Sequence, residues 1–161
     1  MYVSSPAYSV NTKRQAPNRP LYERTSTPER HLRKEVVISI VDDDQFVRDS
    51  LKRLMKSFGY MVAAYQSAGD FLKSPQLGET SCLIADVHMP GMTGVELYEY
   101  LMKAGHAIPT ILITAYPDDH VRTGVLDEGV LAYLVKPFSE TDLIRYVRFA
   151  LEVGNPQKPM H

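Results

Sequence analysis

Five short apolar runs, each followed by a segment of helical spacing, constrain this chain more than any other feature. The runs are VVISIV from Val36, YMVAAY from Tyr60, SCLIAD from Ser81, PTILIT from Pro109 and VLAYLV from Val130. All have strand length. The first, third, fourth and fifth are nearly continuous, the pattern of parallel strands buried on both faces. After the first run, Val47, Leu51, Leu54, Met55 and Phe58 mark one helical face, stopped by Gly59. SAGDFLKS opens a short helix at Ser67. A third helix over Val95 to Lys103 carries Leu97, Tyr98, Leu101 and Met102 on one side. The fourth has few anchors (Val121, Val125, Leu126), and the last turns Leu143, Ile144, Val147 and Leu151 inward. The expected fold is α/β: a (βα)5 doubly wound five-stranded parallel sheet, which right-handed crossovers make a three-layer sandwich.

Charge divides the chain. Residues 1–34 hold seven Lys and Arg against Glu23 and Glu29, whereas the remainder holds eleven against seventeen Asp and Glu. With four prolines and no hydrophobic period, 1–34 is expected to be a disordered basic tail. Its Arg-rich composition also fits a transit peptide or a loose contact with nucleic acid or membrane; a solvated tail is the simpler reading. Residues 35–152 form the folded domain, and 153–161 a second tail. The single Cys82 excludes an internal disulfide, fits a reducing compartment and reads as a small core hydrophobe. No run approaches the roughly 18–20 apolar residues that span a bilayer, and there is no secretory signal core. The expectation is a cytoplasmic protein with no membrane partner.

Four strands end in a chemically active residue. The first ends in Asp42 and Asp43, the third in Asp86, the fourth in Thr114 and the fifth in Lys136. If the strands are parallel, all of these meet at one sheet edge, where ligands of open α/β sheets bind. Carboxylates brought together repel unless a hard cation sits among them, and Mg²⁺ takes one or two carboxylates plus phosphate oxygens. An Asp can accept a phosphoryl group as an acyl phosphate, a transfer that needs mainly positioning and charge neutralisation. Asp44, third in the DDD run, reads as an N-cap for the first helix. His88, His106 and His120 lack metal-ligand spacing and read as surface residues.

The blocks IVDDDQFVR, DVHMPGMTGVEL, ILITAY and YLVKPF, in this order, resemble the receiver domains of two-component response regulators (CheY-like, on a flavodoxin-like sandwich). The resemblance covers about Val36 to Glu152, and YQSAGDFL with KPFSETDL looks closest to the FixJ-like branch. It implies that Asp86 is the phosphoacceptor and that Asp42, Asp43, Asp86 and the backbone carbonyl of His88 hold Mg²⁺. Thr114, Ala115 and Lys136 would bind the phosphoryl group. Thr114 and Tyr133 would form the conformational switch, and the bond before Pro137 would be cis. From its own position alone, Tyr133 is a half-buried core aromatic; the switch role comes from the resemblance.

The implied partner is a sensor histidine kinase or phosphotransfer protein that donates to Asp86. The chain would be a switch rather than an enzyme, with slow autodephosphorylation, and phosphorylation would drive a homodimer through the last helix–strand–helix face. His88 and Tyr116 would rim the site and slow the entry of hydrolytic water. FixJ-like proteins usually carry a C-terminal DNA-binding domain, whereas this chain ends soon after the receiver. Direct nucleic-acid binding is therefore not expected, and the chain reads as a stand-alone receiver, with a phosphorelay carrier or one piece of something longer as the alternatives. Two other readings compete. One is a receiver acting as a docking module without phosphorylation. The other is a haloacid-dehalogenase-type phosphatase, whose aspartate spacing Asp42 and Asp44 share; but Phe46 stands where that family usually has Thr or Val, and the chain lacks room for its cap.

Overall fold

A computed structural model describes residues 35–154. The expected basic tail and nearly all of the expected C-terminal tail lie outside them. In chain order the elements are β1 (Val37–Val41), α1 (Gln45–Ser57), β2 (Met61–Tyr65), α2 (Ala68–Leu72), a 3-10 turn (Pro75–Glu79), β3 (Thr80–Asp86), α3 (Gly94–Lys103), β4 (Thr110–Thr114), α4 (Asp119–Asp127), β5 (Ala132–Val135) and α5 (Glu140–Val153). The five strands form one parallel sheet in the order β2-β1-β3-β4-β5.

Alternation along the strands builds two cores. Ile38 and Ile40 of β1, with Cys82 and Ile84 of β3, face α1 and α5, packing on Leu51, Met55, Leu143 and Val147. Val41, Leu83 and Ala85 face the other way, onto Phe71 of α2, Leu97 and Leu101 of α3 and Val125 of α4. This is the expected three-layer (βα)5 sandwich. β1 and β3 are neighbours but not consecutive: the chain leaves β1 for β2 on one side and returns to β3 on the other. That reversal opens a crevice at their carboxyl ends, where Asp42 and Asp86 stand.

Caps set where the helices begin. The Asp44 carboxylate accepts from the N–H groups of Phe46 and Val47, so the third aspartate caps α1. Thr93 and Glu96 form a reciprocal capping box that starts α3 at Gly94, one residue earlier than the apolar pattern indicates.

The structure corrects several burial expectations. β5 is an edge strand, so Leu134 is only partly covered and Val135 is exposed, unlike β1 and β4, which are buried throughout. Phe58, Met102 and Leu126 are exposed. Phe58 lies one residue beyond α1, as its C-cap, and its ring lies under the Arg148 guanidinium at 5.7 Å. Met102 and Leu126 immediately follow a buried residue on their helices, a step that turns a side chain toward solvent. The domain's last helix runs to Val153, one residue past the expected boundary.

Candidate functional site

Asp42, Asp43 and Asp86 come together: one oxygen from each carboxylate lies within 4.8 Å of the other two. Asp42 is fully buried, Asp86 nearly so, and Asp43 is exposed. The Lys136 Nζ, at the end of β5, reaches Asp42 Oδ2 at 3.2 Å and Asp86 Oδ2 at 3.7 Å. Asp42 Oδ1 accepts from the Asp44 N–H at 2.8 Å, and Asp86 Oδ1 accepts from the His88 N–H at 3.4 Å. The Lys136–Pro137 peptide bond is cis.

Among the described residues three carboxylates face one ammonium, which leaves the cluster net negative. Burial pushes the Asp42 carboxyl above its ordinary 3.8, although the Asp44 N–H and Lys136 pull it down. Asp86 is also raised, by burial first and then by the Asp42 charge. The folded chain therefore holds these protons more tightly than the unfolded chain, which favours folding in acid. That contribution is lost as pH rises from 3.8 through the raised folded-state values. An all-oxygen, charge-deficient donor set suits a hard cation such as Mg²⁺, not a thiolate- or imidazole-seeking metal.

The remaining expected residues border the cluster. The Thr114 hydroxyl accepts from the Tyr116 N–H at 3.0 Å and donates to the Tyr116 carbonyl at 3.2 Å, so it is turned into its own loop. Among the described residues no hydrogen bond joins it to Asp86. Ala115 follows it, exposed. Tyr133 is buried, and its hydroxyl accepts from the Asp118 N–H, at the α4 N-cap, at 3.3 Å. His88 and Tyr116, both exposed, pack edge to face at 5.6 Å between ring centroids. A His88 ring nitrogen lies 3.4 Å from the Tyr116 carbonyl.

Two contributors escape sequence reasoning. Arg48 Nη1 donates to the Asp42 carbonyl at 2.7 Å and ties the β1 terminus to α1. Gly94 is buried behind β3, where a Cβ would overlap the carbonyl of Asp86. A basic residue one turn into a helix behind an acidic pair is a signal for the first. The second gives none in a single sequence.

The sequence profile of the response regulator receiver domain matches residues 38–148. The chain belongs to that family. The response regulator protein TmoT of Ectopseudomonas mendocina is 37% identical over 125 residues, covering 78% of this chain and 57% of TmoT. The transcriptional regulatory protein FixJ of Azorhizobium caulinodans is 33% identical over 114 residues, covering 71% of this chain and 54% of FixJ. Among solved structures, FixJ-N aligns with a TM-score of 0.66 at 31% identity, over 74% of this chain and 96% of that one. This receiver spans little more than half the length of the curated relatives it matches.

Receiver domains of response regulators generally interact with sensor histidine kinases and bind Mg²⁺, and the aspartate cluster fits that ion. Membership in this family leaves the phosphatase reading without support, as does Asp44, which caps α1. Among the described residues no helix is long and apolar enough to cross a membrane.

Proposed function

We propose that this receiver is a phosphorylation-operated switch in which Asp86 accepts a phosphoryl group from a sensor histidine kinase or phosphotransfer protein. The observation that carries this reading is the Asp86 carboxylate itself. It lies at the carboxyl end of β3 beside the β1–β3 crevice, facing two further carboxylates and Lys136.

Asp42, Asp43, Asp86 and the His88 carbonyl would hold Mg²⁺, which when bound supplies positive charge against the phosphoryl oxygens. An Asp86 oxygen attacks phosphorus. The new O–P bond forms as the donor's N–P bond breaks, with the bonding pair left on the imidazole nitrogen. Lys136 exchanges its carboxylate contacts for a phosphoryl oxygen. The Thr114 hydroxyl leaves the Tyr116 backbone and donates to another, with the Ala115 N–H beside it. The move alters the loop that carries Asp118, which Tyr133 holds at the start of α4. The α4 surface is then biased between two states. In this reading the chain is a switch with slow self-dephosphorylation, not an enzyme with an outside substrate.

Intact-mass analysis after incubation with a small-molecule phosphodonor tests the reading. Wild type is expected to gain one phosphoryl group only with Mg²⁺, and Asp86→Asn none. A gain that survives in Asp86→Asn would mean a different nucleophile, and no gain in wild type would leave a docking module as the better description.

The His88–Tyr116 pair covers one approach to the site. Tyr116→Ala is expected to shorten the phosphoryl lifetime by roughly threefold or more, because water reaches phosphorus more easily. An unchanged decay rate removes this role.

We also infer that phosphorylation drives homodimerisation through α4, β5 and α5, which expose Leu126, Val135 and Phe149. Sedimentation of the phosphorylated chain should then depend on concentration. A monomer at every concentration rules the dimer out.

A further inference from the structure

A groove of about 410 Å³ runs between α3 and α4, on the face of the sheet opposite α1 and α5. Its floor is apolar: Val87, Val95, Val121 and Val125. Its rim carries Glu96, Glu99 and Glu128 beside His88 and His120, with no Lys or Arg in the lining. Among the described residues none of these three carboxylates has an ion-pair partner. The size is within the ordinary range of binding clefts.

Gly124 adds an independent observation. It lies inside α4 with no positive φ, and a Cβ built there would meet nothing within 4 Å. Neither backbone conformation nor packing requires glycine, although an interior helix glycine costs roughly 0.5–1 kcal/mol relative to alanine. The residue is exposed and lines the groove. A missing side chain there lets another chain approach the helix backbone closely.

The spacing of the walls indicates the shape of the occupant. Val95 and Glu99 are one turn apart on α3, and Val121 and Val125 are one turn apart on α4, with Glu128 beyond. The groove thus follows two helices and presents apolar positions with acids beside them. An amphipathic helix with its apolar face inward and cations at the edges satisfies both.

We propose that the α3–α4 groove docks an amphipathic helix of a protein partner, with Leu-type anchors on the valine floor and Lys or Arg against Glu96, Glu99 and Glu128. This goes beyond phosphoryl transfer at Asp86 and does not rest on it. Docking would still sense the site, because Val87 and His88 directly follow Asp86 and line the groove.

The test is an NMR titration of the labelled full chain with a synthetic helical peptide pairing Leu with Lys at helical spacing. A second peptide carries Glu in place of Lys. The Lys peptide is expected to shift the amides of Val95, Glu99, Val121 and Gly124, and the Glu peptide to leave them unmoved. Gly124→Leu, which fills the groove, should weaken the Lys peptide by about tenfold or more. That variant should keep the rest of its spectrum and its phosphoryl uptake. Glu99→Gln should weaken binding less and lower its salt dependence. Shifts centred elsewhere, equal response to both peptides, or full binding by Gly124→Leu would each overturn the proposal.

Discussion

Replacing Lys136 by methionine is expected to destabilise the metal-free domain by about 2–3 kcal/mol at neutral pH, and far less in acid. Among the described residues Lys136 is the only cation paired with the aspartate cluster, 3.2 Å from a carboxylate that is wholly buried. Removing one partner of such a pair strands the other, a loss of about 3–5 kcal/mol when both are buried. Here the ammonium end is partly exposed, so the smaller figure applies. The pH dependence follows from the two aspartates. Lys136 lowers the carboxyls of Asp42 and Asp86 against the burial that raises them, so without it both rise further. At neutral pH the variant must keep ionised, unpaired carboxylates. As pH falls they take up protons, the charge disappears, and the gap to wild type closes.

Denaturant unfolding in chelator-containing buffer across this pH range measures the effect. A deficit as large in acid as at neutrality would mean that Lys136 acts through packing rather than charge. Adding Mg²⁺ should recover part of the loss, since a cation bound only by the folded chain stabilises it by mass action.

The cluster shows why so much was legible in the sequence. A strand buried on both faces has no interior position for a charge, so the first carboxylates after VVISIV and SCLIA had to fall at strand ends. Five such runs alternating with helical spacing leave a parallel sheet as the simplest arrangement, which brings those ends to one edge. The sheet, the meeting of Asp42, Asp43, Asp86 and Lys136, and the capping role of Asp44 all follow from that logic.

What stayed hidden depends on strand order or on one torsion angle. VLAYLV is as apolar as the central runs, and only its place at the end of the order makes it an edge strand that exposes Val135. Phe58 continues the 3.6-residue period of α1, but the helix stops before it. The Thr114 hydroxyl could point at Asp86 or at its own loop, and the composition of ILITAY is the same for both. Thr93 with Glu96 was readable as a capping box, and its pattern would have moved the start of α3 to its observed position.

Gly94→Ala is expected to combine a stability loss of about 3 kcal/mol with a large loss of phosphoryl uptake. Gly94 opens α3, and its N–H donates to the Val87 carbonyl at 3.1 Å, which holds the helix start against the end of β3. An added methyl group would overlap the carbonyl oxygen and carbon of Asp86 and crowd the Val87 Cα at 3.2 Å. All three are backbone atoms, so no flexible side chain can yield. Either α3 lifts from the sheet or the β3 terminus moves, and the second displaces the Asp86 carboxylate from Lys136. Displacements near 1 Å at a reacting group can cost about a hundredfold in rate. Gly78→Ala is the control: it has no positive φ, a Cβ there meets nothing within 4 Å, and the change should stay within about 0.5 kcal/mol. Chemical unfolding and the rate of mass gain from a phosphodonor measure the two effects separately. If Gly94→Ala loses stability but accepts phosphoryl at the wild-type rate, the helix has moved and Asp86 has not. If both hold at wild-type values, the close approach of α3 to Asp86 is not what positions it.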